Sequence, residues 1–258
     1  MGDSNFIKFL GTAGARFVMA KQLRSSAGTF ISMKGQNIML DPGPGALVRL
    51  ASSRPGIDVE KLDAIILTHA HIDHSNDANV LIDSMTGGGL NRRGVLFAPR
   101  ECVHGEDPVI LKYLRGFLED IVILEENKEY RLGSLSFSTS ARHLHAVETY
   151  GVKFGLDGLT VSFMADTRFF PELLQSYKGT DLLVINVVRH MAHQNPRIMH
   201  LAMDDVRTII AGLKPEKVFL THFGMTMLKA KPWELARQLT VETGVDVTAA
   251  SDGLTVHL

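Results

Sequence analysis

The sequence predicts an α/β protein in which β-sheets are covered by helices. Short apolar or alternating segments bounded by glycine or polar residues indicate strands, and Ala64–Leu67 is apolar throughout, as in a strand covered on both faces. Segments with helical periodicity, such as Asp204–Leu213, alternate with the strands, and Asp157-Gly158 marks a hairpin turn in the middle of the chain. This alternation is typical of sheets that pack beneath helical layers.

The predicted elements follow one another without a long linker. The predicted strands are Ile7–Leu10, Thr29–Met33, Asn37–Leu40, Ala64–Leu67, Val122–Leu124, Leu135–Thr139, Tyr150–Phe154, Leu159–Met164, Leu182–Val188, Val218–Leu220 and Leu254–Leu258. The predicted helices, with apolar residues at helical spacing, are Val80–Met85, Val109–Leu118, Asp204–Leu213 and Trp233–Thr243. Because no low-complexity segment or composition break interrupts the chain, we expect residues 1–258 to form one domain.

Composition narrows the classes of function. The 258 residues are 45% hydrophobic and 21% charged, which is ordinary for a globular protein. The net charge of −1 gives no general attraction to nucleic acid or to an anionic membrane. The single cysteine, Cys102, excludes an intramolecular disulfide and a cysteine-based zinc site. The sequence contains no signal peptide and no apolar run near the ~20 residues of a membrane span, so we expect a cytoplasmic protein without membrane association.

A dense cluster of histidines follows the apolar strand Ala64–Leu67. Within six positions, His69, His71, Asp73 and His74 supply three imidazoles and one carboxylate, the usual ligands of zinc, iron or manganese. The first two histidines can share one side of an extended stretch, whereas the last two residues could face a second ion as the chain turns. Because buried polar groups are costly unless paired, packing alone does not explain the cluster.

A second apolar segment ends in the same two residues. Val218-Phe219-Leu220-Thr221-His222 repeats the pattern of Ile65-Ile66-Leu67-Thr68-His69. Ligands of α/β proteins gather beyond the carboxyl ends of strands. We therefore expect the two Thr-His ends, one in each half of the chain, to face a common site.

The segment His-x-His-x-Asp-His after an apolar strand resembles the signature of the metallo-β-lactamase superfamily. Further segments resemble that family in the same order: Met39-Leu40-Asp41-Pro42-Gly43 with its Asp-x-Gly turn, His145 six residues before Gly151, Ala165-Asp166-Thr167 and Leu220-Thr221-His222-Phe223. The resemblance thus spans nearly the whole chain. It implies a four-layer αββα sandwich with two divalent metal ions, Zn²⁺ foremost and Mn²⁺ or Fe²⁺ as alternatives.

The resemblance also implies a set of ligands: His69, His71 and His145 for one ion, Asp73, His74 and His222 for the other, and Asp166 as a bridge between them. Asp41 would orient a ligand histidine from behind, or would be a simple turn residue. His143 competes with His145, since the two are expected on one face of a strand. The spacing to Gly151 favours His145.

The second half of the chain indicates a branch of this family. The segment Met199–Asp205, followed by a predicted helix and Leu220–Phe223, resembles ribonuclease Z and its phosphodiesterase relatives, and Phe9–Gly14 resembles the Leu-Gly-Thr-x-Gly loop of that branch. The resemblance implies that His200 assists the leaving oxygen, that Asp205 orients His200, and that Asp73 joins them as a catalytic residue. Two ions can activate water and neutralise charge on a phosphoryl oxygen.

Two departures from ribonuclease Z bear on the substrate. A long arm that grips tRNA would lie between Gly151 and Asp166, where this sequence predicts only a short hairpin, and the glycine usual at the third position after His74 is replaced by Asp77. With the near-neutral charge, these differences predict hydrolysis of a small phosphodiester by a metal-activated water. A cyclic nucleotide, a cyclic phosphate and a short oligonucleotide are candidates. The resemblance further suggests a homodimer.

Three alternatives remain at the level of sequence. The protein could be a nuclease resembling the tRNA 3′-processing endonuclease, or a lactone, ester or thioester hydrolase, since the same fold hosts many chemistries. A non-catalytic metal-bound sensor is a third alternative, which the complete ligand set disfavours. His200 distinguishes phosphodiester hydrolysis from lactone hydrolysis, because this residue has a role at a phosphate and no evident role at a lactone. Arg189 and Arg197 could meet a substrate phosphate or could belong to a polar surface loop.

Overall fold

The computed structural model describes residues 5–14, 16–195 and 197–258 and contains two seven-stranded sheets. The strands are β1 (Phe6–Phe9), β2 (Thr29–Met33), β3 (Gln36–Leu40), β4 (Ala64–Ile66), β5 (Val95–Pro99), β6 (Asp120–Leu124), β7 (Glu129–Leu132), β8 (Leu135–Thr139), β9 (Val152–Leu156), β10 (Leu159–Met164), β11 (Leu182–Asn186), β12 (Lys217–Thr221), β13 (Asp246–Ala249) and β14 (Thr255–His257).

The α-helices are α1 (Phe17–Ala20), α2 (Ala46–Ser52), α3 (Ile72–Ser75), α4 (Ala78–Met85), α5 (Arg100–His104), α6 (Glu172–Ser176), α7 (Met203–Leu213), α8 (Met225–Lys229) and α9 (Pro232–Thr243). Two 3-10 helices cover Val59–Lys61 and Lys112–Phe117. Within the described parts of the chain, none of the helices has the length and apolar character needed to cross a membrane.

Each sheet combines a parallel and an antiparallel part. The first sheet has the order β14-β1-β2-β3-β4-β5-β6, with β3 to β6 parallel, and the second has the order β13-β12-β11-β10-β9-β8-β7, with β10 to β13 parallel. The remaining neighbours are antiparallel. The carboxyl ends of the parallel strands provide the two edges on which ligands of α/β sheets gather.

Three hydrophobic clusters separate four layers. One cluster lies between the sheets, and the other two lie between each sheet and its outer helices. In β4, Ile66 faces the other sheet while Ile65 faces the helices, which explains why this strand is apolar at every position. In β11, Val184 likewise faces the other sheet while Leu183 faces the outer helices. The αββα sandwich expected from the sequence is therefore confirmed.

One predicted helix, Val109–Leu118, is shorter than expected and is a 3-10 helix rather than an α-helix. Ile110 and Leu114 are buried at helical spacing, which made Val109–Leu118 resemble an amphipathic helix. The Arg115 guanidinium, however, donates to the carbonyl oxygen of Ile110 at 3.2 and 2.8 Å. That carbonyl would accept the amide of Leu114 in an α-helix. The amide instead donates to the carbonyl oxygen of Leu111 at 3.2 Å, so the 3-10 helix Lys112–Phe117 forms.

Strands β5, β7 and β13 were not predicted, whereas the central hairpin was. Asp157 and Gly158 have φ angles of 48° and 94°, the left-handed values that a two-residue hairpin turn between β9 and β10 requires. The expectation that His143 and His145 share the face of a strand is wrong. Both lie in the loop between β8 and β9, where local hydrogen bonds and not strand pairing direct each ring.

Candidate metal centre

The predicted histidine cluster lies where β4 ends. Thr68 and His69 follow the strand, and the short helix α3 then turns Asp73 and His74 inward, so that all four side chains are buried. The loop after β3 packs directly against this helix. A Cβ atom at Gly43 would lie 2.0 Å from the carbonyl oxygen of Asp73, so the close approach requires glycine at the predicted Asp-x-Gly turn.

A first group of possible metal ligands consists of His69, His71 and His145, each with a ring nitrogen within 4.8 Å of the others. Nδ1 of His71 and Nε2 of His145 are 3.1 Å apart. Two ligands at 2.0–2.1 Å from one tetrahedral zinc ion lie about 3.4 Å apart, so this spacing suits a shared cation. The other nitrogen of His145 donates to the carbonyl oxygen of Met199 at 3.1 Å, which leaves Nε2 with its lone pair.

A second group consists of Asp73, His74 and His222. Oδ2 of Asp73 lies 3.7 Å from Nε2 of His74 and 3.6 Å from Nε2 of His222. All three atoms are buried and lack a hydrogen-bond partner among the residues that the structure describes. Buried polar atoms are normally paired, so three unpaired atoms pointing at one another fit a site for a cation.

Asp166 follows β10 and lies beside the second group. Its Oδ2 is 3.7 Å from Nε2 of His74 and 3.3 Å from Nε2 of His222, while its Oδ1 accepts a hydrogen bond of 2.8 Å from Nδ2 of Asn186. The amide of Asn186 thus holds one oxygen and directs the other toward the imidazoles. Sequence reasoning missed Asn186, although its position at the end of β11, in line with the other strand ends, was a usable signal.

Asp41 holds the cluster from behind. Its carboxylate accepts hydrogen bonds from the amide and the hydroxyl of Thr68, both at 2.7 Å, and from Nδ1 of His74 at 2.9 Å. Since that hydroxyl donates to Asp41, it accepts from Nδ1 of His69 at 3.0 Å. Both rings therefore carry their proton on Nδ1 and present a bare Nε2. Asp41 also lies within 4.8 Å of His69 and His74 as a possible ligand, but its oxygens already have partners.

The charges of the cluster favour the binding of a cation. Burial lowers the pKa of His69, His71 and His145, which keeps these rings in the neutral form that binds metals. Burial also acts to lower the pKa of His74, but the carboxylates around it, first that of Asp73, raise it well above its usual value. Those carboxylates thus attract positive charge, which a divalent ion would supply. The residues present fit the metal ions that the fold implies.

His143 is excluded from the ligand groups by its own hydrogen bonds. Its Nδ1 donates to the backbone oxygen of Asp166 at 3.2 Å, and its Nε2 accepts from the hydroxyl of Tyr177 at 3.0 Å. Burial lowers the pKa of His143 to about 4, so the ring stays neutral. With both nitrogens occupied, His143 supports the loop that carries Asp166, whereas His145 belongs to the first group of possible ligands.

His200 lies at the open side of the centre, and Asp205 does not contact its ring. Nδ1 of His200 is 3.4 Å from Oδ2 of Asp166, and its ring centroid is 5.3 Å from that of His145. The predicted contact with Asp205 is wrong: among the described residues, no carboxylate oxygen of Asp205 lies within 4.0 Å of the His200 ring nitrogens. The Asp205 carboxylate instead accepts the amide of Ala202 at 2.8 Å, because it caps the first turn of α7.

Other singled-out residues have structural roles or lie on the surface. Asp77, which replaces the usual glycine, accepts the amides of Gly45 and Leu47 at 3.1 and 3.3 Å and so stabilises the start of α2. The Nε of Arg189 donates to the carbonyl oxygen of Met191 at 3.2 Å, and Arg197 is exposed. The Arg189 side chain therefore forms its hydrogen bond within its own loop.

Comparison with known proteins places this site in a family. The profile of the β-lactamase superfamily domain matches residues 36–223, which is more than half of the chain. The protein MJ1374 of Methanocaldococcus jannaschii is 30% identical over 260 residues, covering 98% of this chain and 94% of that protein. The crystal structure of the metallo-β-lactamase fold protein YhfI from Bacillus subtilis superimposes with a TM-score of 0.80 at 18% identity, over 99% of this chain and 100% of YhfI.

These matches establish a metal-dependent hydrolase. The chain belongs to the β-lactamase superfamily, as the histidine motif indicated. A ribonuclease Z of Clostridium botulinum is 32% identical over 121 residues, which are 46% of this chain and 36% of that enzyme. The resemblance to the ribonuclease Z and phosphodiesterase-like branch is thereby confirmed.

Proposed function

We propose that the protein is a dinuclear metal-dependent phosphodiesterase that hydrolyses a small phosphodiester. His69, His71 and His145 would hold one ion, Asp73, His74 and His222 the other, and Asp166 would be shared. Such ions supply an activated water and neutralise charge on the phosphoryl oxygens. Zn²⁺ suits the imidazole and carboxylate donors best, with Mn²⁺ or Fe²⁺ as alternatives.

The observation that carries the proposal is the position of His200. The ring lies against Asp166 and beside His145, yet it belongs to neither ligand group, and its side chain is 20% exposed. An imidazole at the open side of a metal centre can donate a proton to a departing oxygen. Burial lowers the pKa of His200, and the negative charge of a bound phosphodiester would favour the protonated ring.

The hairpin between Gly151 and Asp166 supports a small substrate. Strands β9 and β10 are joined by the two residues Asp157 and Gly158. A turn of this length leaves no room in this interval for the arm that the resemblance to ribonuclease Z would require for tRNA. This supports a cyclic nucleotide, a cyclic phosphate or a short oligonucleotide as the substrate, rather than tRNA.

The test compares two leaving groups. An alkoxide leaves poorly and benefits from a proton donor, typically by ~10²–10⁴-fold, whereas p-nitrophenolate leaves readily. We expect His200→Ala to slow hydrolysis of a cyclic nucleotide or dinucleotide by about that factor and to slow bis-p-nitrophenyl phosphate much less. Steady-state kinetics on the metal-loaded protein measures both, and elemental analysis should find the metal content unchanged.

His104→Ala serves as the control, because His104 is an exposed histidine on α5 with no motif around it. An equal loss on both substrates would assign His200 to charge stabilisation rather than to proton donation. If neither phosphodiester were hydrolysed while a lactone or thioester was, the protein would be an ester hydrolase of the same fold.

A further inference from the structure

A cavity adjoins the metal centre on the side of His145. It has a volume of about 390 Å³ and is lined by Arg142, His143, Leu144, His145, Arg168 and Met199. Two of these residues are arginines, and the proposed function uses neither of them. The cavity thus presents positive charge beside the position of the phosphodiester.

Neither arginine forms a close ion pair among the residues that the structure describes. Within the described residues, no carboxylate oxygen lies within 4.0 Å of the guanidinium of Arg142 or Arg168. Glu126 accepts the backbone amide of Arg142 at 3.2 Å and does not pair with its side chain. Both side chains are exposed, so their guanidinium groups are accessible to a ligand.

The backbone brings the two arginines to one cavity. The amide of Arg168 donates to the carbonyl oxygen of Leu144 at 3.1 Å, which joins the loop after β10 to the loop after β8. The link to the metal centre is His145, since this ring lines the cavity and also faces His71. Met199 also lines the cavity, its carbonyl oxygen accepts the hydrogen bond from Nδ1 of His145, and it directly precedes His200.

We propose that this cavity binds a phosphomonoester group of the substrate, while the phosphodiester of the same molecule lies on the metal centre. The proposal rests on the proposed function and narrows its substrate class to a phosphodiester that carries a second, terminal phosphate. A phosphomonoester has a charge near −2 at neutral pH, which matches two guanidinium groups. Guanidinium forks bind phosphate oxygens in pairs, and the apolar side chains of Leu144 and Met199 suit the carbon skeleton between the two phosphates.

The test measures binding without turnover. Adenosine 3′,5′-bisphosphate and adenosine 3′-monophosphate differ by one terminal phosphate, and neither contains a phosphodiester bond. Calorimetric titration of the full-length, metal-loaded protein should find the bisphosphate bound about 10–100-fold more tightly than the monophosphate. In the double variant Arg142→Gln/Arg168→Gln this ratio should fall to about one, with each single variant in between.

Arg237→Gln is the matched control, because Arg237 is exposed on α9, away from this cavity, and should leave the ratio as in the unmodified protein. Equal affinity for the two ligands, failure of both to bind, or a ratio that survives the double variant would overturn the proposal. Because no hydrolysis is involved, a protein that cleaves no phosphodiester would refute the proposed function while this ratio still decides the arginine site.

Discussion

Replacing Asp41 by asparagine tests whether the metal centre depends on the proton arrangement behind it. Asp41 has a φ of 50°, and asparagine tolerates this left-handed conformation, so the backbone should survive the change. The carboxylate accepts three hydrogen bonds from Thr68 and His74. An amide that turns its oxygen toward one of these donors must turn its NH₂ group toward another.

The expected magnitude follows from these contacts. If the NH₂ group faces His74, Nδ1 must accept, the ring proton moves to Nε2, and that nitrogen can no longer bind a metal. If it faces the amide of Thr68, two buried donors oppose each other, at a cost of about 1–3 kcal/mol in unfolding free energy. Loss of a partner behind a metal ligand typically weakens metal affinity by about 10–100-fold.

A competition titration against a chromophoric chelator measures the affinity for each ion, and denaturant unfolding of the metal-free protein measures stability. Asp77→Asn is the control, since Asp77 also accepts two backbone amides and belongs to no ligand group. It should lose stability but keep its metal. If Asp41→Asn bound both ions as tightly as the unmodified protein, the proposed proton arrangement would be refuted.

Three further substitutions test the ligand set and its support. Asp166→Ala should abolish hydrolysis and reduce the content of both ions, and near-normal values in turnover and elemental analysis would contradict the shared role. His145→Ala should lose one ion by elemental analysis, whereas His143→Ala should keep both and lower the melting temperature; the reverse pattern would exchange their roles. Gly151→Ala should reduce the unfolding free energy by about 1–3 kcal/mol in a denaturant titration, because the new Cβ would lie 1.7 Å from the Tyr177 hydroxyl, and unchanged stability would contradict this packing.

The features that the sequence predicted correctly depend on short stretches of chain. Strands Thr29–Met33, Leu135–Thr139 and Leu159–Met164 have the observed bounds, because their periodicity and bordering turns are local. The clustering of His69, His71, Asp73 and His74 is also local, since these residues lie within six consecutive positions. The layer order of the sandwich came from the family resemblance, which covers segments from both halves of the chain.

What the sequence could not predict depends on contacts between distant segments. Asn186 is twenty residues from Asp166 along the chain, and Arg142 and Arg168 line one cavity beside hydrogen-bonded loops after β8 and β10. The error at Asp205 has a different cause. A helix N-terminus attracts a carboxylate at its third position whatever the catalytic site requires, and the spacing from His200 alone could not separate the two roles.

The repeated Thr-His ends explain how two sheets build one centre. Each places its histidine just beyond the carboxyl end of a parallel strand, β4 in one sheet and β12 in the other, and the two sheets face each other across the central core. His222 has a φ of 62°, a strained value for a histidine that costs about 1–3 kcal/mol. The amide of Phe223 donates to the carbonyl oxygen of Thr12 at 2.8 Å. This hydrogen bond to the N-terminal loop stabilises the strained turn. The left-handed turn sets the direction in which His222 leaves the end of β12, and Nε2 of His222 lies 3.6 Å from Oδ2 of Asp73 in the second ligand group.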